Sequence, residues 1–346
     1  MSRASQEFRP LPLLAGGHRQ TLAGCCLPSR NLLAGTKRFR VELADGDQLV
    51  LHDDCPLDWL PGDSTALLVH GLCGCHQSRY VQRVALKLFQ RGVRTFRIDL
   101  RGCGAGEGLA RTATHCGRHS DLEPPVQLIG QITAASPLTV VGFSLGGALA
   151  LGLAANSDIP DHWNGVIAVC PPIDLKAVER SLRRPINRWY DSFFARRLWK
   201  KVKHLAHTLP GAPSIDHMSK PRRLREFDQQ FTVPLGGFRD VDEYYQRASI
   251  APRLHCIELP TRIIAAANDP IVPIEPLREA QLGPRMKLLE ARCGGHLGFV
   301  GRRGSDPDRY WMDWRIVEWI SGKNGAEMAI TTTRTSPTAS PWASTS

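Results

Sequence analysis

Ser144 is the residue of this chain best placed for nucleophilic chemistry. It stands in Gly142-Phe143-Ser144-Leu145-Gly146, directly after the apolar run 138–141 and directly before a helical pattern that opens at Leu145. A tight strand-to-helix turn of this kind holds a serine in a strained conformation at the carboxyl edge of a sheet, with glycines giving room for close backbone packing. The amide of Leu145, at the start of the helix, is then free to donate to an oxyanion that develops during attack on a carbonyl.

A serine hydroxyl is a poor nucleophile until a base takes its proton, and behind such a turn the partners follow in the order serine, acid, histidine. Among the 12 histidines, His296 combines glycine-rich flanks, Cys-Gly-Gly-His296-Leu-Gly, with a place between the last strand pattern and the terminal helix pattern. The acid expected to orient it is Asp269, in Asn-Asp269-Pro, just past the apolar run 262–267. Asp174, in Pro-Pro-Ile-Asp174, follows the preceding strand and is the rival; Asp99 precedes the serine and is read as a loop anchor. The loop His70-Gly71-Leu72-Cys73-Gly74 should supply the second oxyanion donor, with the amide of Leu72 the best placed and His70 a loop-shaping partner.

These residues need a sheet to carry them. Residues 39–43 and 48–52 flank Ala-Asp-Gly-Asp, a hairpin signal that predicts antiparallel edge strands. Short apolar runs at 66–69, 94–98, 138–141, 166–169, 262–267 and 287–289 then alternate with helix patterns at 81–90, 122–132, 145–156, 276–281 and 310–320. That rhythm predicts an α/β fold with a mostly parallel central sheet and helices on both faces. It breaks between about 173 and 250, which reads as a helical lid inserted after the sixth core strand. The Thr-, Ser- and Pro-rich stretch past residue 322 is expected to be a disordered tail, leaving 1–322 as one domain.

The 346 residues, 42% hydrophobic and 22% charged, are those of an ordinary globular protein. No apolar run is long enough for a secretion signal or a membrane span, and the ten cysteines lack paired zinc spacing, so a reducing, cytoplasmic setting without metal is expected. Arg101-Gly-Cys-Gly-Ala-Gly106 is neither a dinucleotide fingerprint nor a phosphate loop, which leaves no cofactor to expect. Fourteen Lys and Arg against three Asp and Glu lie between Lys176 and Arg225, and this equals the whole net charge of +11; the rest of the chain carries 30 of each sign. Within that basic stretch Ile186, Trp189, Tyr190, Phe193, Phe194, Leu198, Val202 and Leu205 recur at helical spacing. The stripe covers an apolar site, meets an anionic membrane with its cations, or does both; a local patch of this kind does not argue for nucleic acid.

Taken with His18-Arg-Gln-Thr21, His70-Gly-Leu, Arg101-Gly-Cys, Gly142-Phe-Ser-Leu-Gly-Gly147, Asp269-Pro and Gly294-Gly-His-Leu-Gly-Phe299, the chain resembles the YheT-like α/β hydrolases from about Phe8 to Ile320. Arg225-Glu-Phe-Asp228, Gly237-Phe and Tyr244-Tyr245 match the insertion that covers the active site in that family. The chain departs from the pattern at Gly17, where Pro is usual, at Ala148, often Asn, and at Asn268, often acidic. The resemblance implies the α/β-hydrolase fold and a Ser144–Asp269–His296 triad acting on carboxylic esters, with a small-molecule or lipid ester as substrate. The competing readings are a catalytically silent binding scaffold and an acyltransferase.

Overall fold

The computed structural model describes residues 7–27, 35–156, 158–216 and 218–322; the expected tail, 323–346, lies outside the described residues. The hairpin forms where its turn residues predict. β1 (Lys37–Glu42) and β2 (Gln48–Asp54) pair antiparallel. Six strands follow: β3 (Thr65–Val69), β4 (Arg94–Asp99), β5 (Leu138–Phe143), β6 (Trp163–Val169), β7 (Thr261–Ala266) and β8 (Met286–Ala291). They join the hairpin in one sheet of order β1-β2-β4-β3-β5-β6-β7-β8. β2 runs antiparallel to β4, and every pair from β4 to β8 is parallel. β3 and β5 are buried along their whole length, which is why they read as unbroken apolar runs rather than as alternating strands.

The helices in chain order are α1 (Gly17–Cys26), α2 (Arg79–Phe89), α3 (Glu123–Ile132), α4 (Leu145–Ala154), α5 (Leu175–Arg183), α6 (Arg188–Thr208), α7 (Leu224–Phe227), α8 (Val233–Gly236), α9 (Val241–Ala248), α10 (Glu275–Glu279) and α11 (Trp311–Ser321). Apolar side chains of α2 and α11 close one face of the sheet, and those of α3 and α4 close the other. α4 sits so deep that all but one of its residues are buried, and it is apolar on every side. Five of the helices, α5 to α9, lie between β6 and β7 and form the insertion. A single π-helical turn, Asp228–Thr232, joins α7 to α8.

One feature was not foreseen from the residues. α1 has no helical apolar rhythm; what it buries is Gln20, Thr21 and Gly24. The aromatic stripe of the insertion, in turn, divides along α6. Tyr190, Leu198, Val202 and Leu205 are buried, whereas Trp189 and Phe193 stay exposed, as does Ile186 just before the helix.

Candidate active site

Ser144 occupies the single residue between β5 and α4, with φ 52° and ψ −120°. This is left-handed backbone in a non-glycine residue, a strain of about 1–3 kcal/mol that the surrounding packing must hold. The packing explains the glycines. A Cβ on Gly142 would lie 2.3 Å from the carbonyl oxygen of Gly146, and one on Gly146 would lie 2.3 Å from that of Val69. No side chain fits at either position, so the turn can close only with glycine.

His296 follows β8 in a loop of unusual backbone, with Gly295, Leu297 and Phe299 all at positive φ. Its Nε2 lies 2.9 Å from Ser144 Oγ and its Nδ1 lies 2.8 Å from Asp269 Oδ2. With Nδ1–H donating to the carboxylate, Nε2 is left as an acceptor facing the hydroxyl. Asp269 sits just past β7 and is itself fixed: its Oδ1 accepts from the amides of Ile271 at 2.8 Å and Val272 at 3.0 Å. The three predicted residues therefore form one hydrogen-bonded chain drawn from three loops at the carboxyl edge of the sheet. Asp174 is elsewhere employed, as the N-cap of α5, accepting from Ala177 N at 3.0 Å. Asp99 accepts from His52 Nε2, His76 Nδ1 and the amides of His76 and Ala105. Burial raises its proton affinity, but those donors outweigh it and hold the carboxyl well below the usual range.

Leu72 and Leu145 both line the cavity that contains Ser144. Among the described residues neither amide has a hydrogen-bond partner, so both are free to donate. The loop carrying Leu72 is held from several sides. Tyr80 Oη accepts from Gly71 N at 2.9 Å, His70 Nδ1 donates to Gly71 O at 2.8 Å, and Asp99 takes the amide of His76. His70 is thus a loop-shaping residue, with Nε2 accepting from Leu100 N.

The residues that support His296 include several the sequence did not single out for that purpose. Thr21 Oγ1 accepts from His296 N at 2.8 Å. Gln20 exchanges two hydrogen bonds with the backbone of Val300, at 2.9 and 2.8 Å. Asn268 Oδ1 accepts from the amides of both Gly294 and Gly295, while its Nδ2 donates to Ala15 O. Glycine provides the close approach of α1: a Cβ on Gly17 would fall 1.9 Å from the carbonyl oxygen of Asn268. The available signal was His18-Arg-Gln-Thr21, noted only as a point of resemblance.

The cavity holds about 540 Å³ and lies between the sheet edge and the insertion. Leu72, Leu145, Leu175, Phe194, Leu198 and Val272 give it apolar walls. Desolvation disfavours the charged forms of its inner His115 and Asp228. Burial lowers His115 to about 3, with Arg118 and Arg101 adding to the effect. Burial raises Asp228 to about 7, against the hydrogen bonds it accepts from Thr232 and Tyr245.

Two clusters have the composition of a metal site among the described residues, Cys170–Asp269–His296 and His52–His76–Asp99. In both, the carboxylate and ring nitrogens are 2.6 to 2.9 Å apart. That is hydrogen-bond spacing, shorter than the roughly 3.3 Å between two ligands on one tetrahedral ion. Burial also pushes the Cys170 thiol well above its ordinary value, which leaves it protonated and a poor ligand. No helix among the described residues is long and apolar enough to cross a membrane.

Residues 67–302 match the family model for the alpha/beta hydrolase fold. The chain is 27% identical over 332 residues to a protein named "Putative esterase YheT" from Escherichia coli, covering 92% of this chain and 94% of that one. It is also 27% identical over 276 residues to human phospholipase ABHD3, covering 75% of this chain and 66% of that protein. Among solved structures, the Pyrococcus furiosus esterase Pf2001 superposes with a TM-score of 0.53 at 16% identity, covering 91% of this chain and 97% of that one. The 2,6-dihydroxy-pseudo-oxynicotine hydrolase gives 0.55 at 17% identity, over 82% and 68%. At such identity these likenesses speak to the fold. The match of the family model across most of the chain and the eight-stranded sheet agree that the chain belongs to the α/β-hydrolase fold family.

Proposed function

We propose that the protein is a serine hydrolase that cleaves carboxylic esters through an acyl-enzyme, with Ser144 as nucleophile, His296 as base and Asp269 as orienting acid. The observation that carries this reading is the continuous hydrogen-bonded chain from Asp269 through His296 to Ser144, opening on an apolar cavity. Ser144 Oγ attacks the ester carbonyl while His296 Nε2 takes its proton, and Asp269 stabilises the imidazolium that forms. The amides of Leu72 and Leu145 receive the oxyanion, each contributing about 3 kcal/mol to the transition state. Collapse expels the alcohol, which takes its proton from His296. Water, activated by the same imidazole, then releases the acid.

The apolar walls favour short- to medium-chain acyl groups or lipid-like esters as substrates. Support for ester chemistry comes also from the relatives, one named as an esterase and another as a phospholipase. Fluorophosphonate labelling with a p-nitrophenyl ester series from acetyl to palmitoyl tests the proposal. Ser144 should be the labelled serine, and Ser144→Ala should lose both labelling and turnover while keeping its fold. Turnover of esters by that variant at the parent rate would end the proposal, and an inert parent chain would leave a binding scaffold in its place.

A further inference from the structure

The insertion holds its excess charge in a particular arrangement. Along α6 the buried edge, with Phe194 and Leu198, forms a wall of the ester cavity, while Ile186, Trp189 and Phe193 emerge on the outer edge at 64, 43 and 42% exposure. Trp189 and Phe193, four residues apart, share one side of α6, and Ile186 stands in the turn that leads into it. Around them the cations outnumber their acidic partners. Arg183 pairs with Glu179 and Arg225 with Asp242, but among the described residues Arg184, Arg188, Arg222 and Arg223 have no acidic group within ion-pairing distance. By contrast Arg83, Arg94, Arg97 and Arg101, in the body of the fold, are each matched by a carboxylate. Segment 222–223 lies against α6, since Ser192 Oγ donates to Arg222 O. Arg183 and Arg223 belong to the cavity's lining, and both are exposed at its outer side.

We infer that this edge of the insertion docks on an anionic lipid surface, with Ile186, Trp189 and Phe193 sinking below the headgroups and Arg184, Arg188, Arg222 and Arg223 pairing with phosphates. Charge alone would suit any polyanion. Three exposed apolar side chains among unpaired cations select a partner that offers an apolar interior beneath a negative surface. A water-soluble protein gains nothing by showing a tryptophan, a phenylalanine and an isoleucine together to solvent. Docked this way, the rim of the ester cavity faces the membrane. An ester held there would reach Ser144 with little exposure to water. The docking itself does not depend on the chemistry proposed for Ser144.

Co-sedimentation of the full chain with vesicles tests this, comparing phosphatidylcholine alone with phosphatidylcholine plus phosphatidylserine. Binding should rise with phosphatidylserine and weaken with salt. Arg184→Glu with Arg188→Glu should lower the partition coefficient roughly tenfold or more, since each cation near an anionic surface is worth about a fivefold change. Ile186→Ser should weaken binding at fixed phosphatidylserine. Both variants should hydrolyse soluble p-nitrophenyl butyrate as the parent does, which reports an intact fold. Should the charge-reversed pair not fold, Arg184→Gln with Arg188→Gln carries the same expectation. Ser144→Ala should bind vesicles like the parent, which separates this inference from the ester-hydrolase proposal. Binding indifferent to phosphatidylserine, or unchanged in the charge variants, overturns it, as does binding of an oligonucleotide in preference to the vesicles.

Discussion

Asp269 and Asp174 are both carboxylates that follow a strand of the same sheet, and from the residues alone they compete for one role. Hydrogen bonding separates them. Asp269 spends one oxygen on two backbone amides and the other on His296, so its geometry is fixed before substrate arrives. Asp174 spends an oxygen on the first turn of α5. Asp269→Asn is therefore expected to reduce kcat by about 10⁴ by permitting the wrong imidazole tautomer. Asp174→Asn should leave kcat near the parent value, since Asn caps a helix about as well as Asp. Steady-state kinetics on one p-nitrophenyl ester decides, and the reverse ranking would reassign the acid. The two departures nearest this site are in fact one feature. Gly17 touches the carbonyl of Asn268, and Asn268 both accepts from the His296 loop and donates to Ala15. An acidic residue at 268 would serve the first purpose but, when ionised, has no hydrogen to donate for the second.

At the scale of elements, the sheet and its flanking helices were legible because burial wrote them twice, as apolar runs of strand length and as amphipathic helical spacing. Observed ends fall within a few residues of the expected ones throughout β3 to β8. α1 was illegible for a physical reason: it is held by polar and close backbone contacts rather than by an apolar face, so periodicity says nothing of it. The π-helical turn was equally hidden, since one extra residue in a turn leaves no compositional trace. It carries Asp228 into a buried position, where desolvation raises the carboxyl to about 7. Below about pH 4 the carboxyl is protonated in both folded and unfolded chains. As pH rises from there to 7 the unfolded chain has released its proton while the folded chain still holds it, so stability falls; above 7 that loss is complete. Asp228→Asn should remove this dependence. Chemical denaturation from pH 4 to 8 should show the variant gaining on the parent by on the order of 3 kcal/mol. A constant difference across that range would mean that the carboxyl titrates normally.

Over the whole molecule, the sheet's two faces are closed by different means. α3 and α4 rest on apolar packing, but α2 and α11 also share buried charge: Asp313 accepts from Arg83 Nε and from Lys87 Nζ, each at 2.9 Å. Burial alone would raise the Asp313 carboxyl, yet the two cations overcome it and hold it low. Asp313→Asn would strand them, and leaving buried charge without its partner costs about 3–5 kcal/mol. The midpoint of urea unfolding should fall accordingly, with Asp313→Ala no better. A variant as stable as the parent would show that Asp308, which also meets Lys87, suffices as counter-charge.

The hydrogen bond from His296 to Thr21 has a consequence in time as well as space. α1 precedes β1 and the His296 loop follows β8, so a ribosome makes the two partners of this bond on either side of the whole sheet. Until the later segment emerges and finds the earlier one, a nascent chain can form its serine turn but lacks the base proposed above. On that proposal, a chain abandoned before residue 296 would be silent toward esters, and a fluorophosphonate would label only chains extended past it.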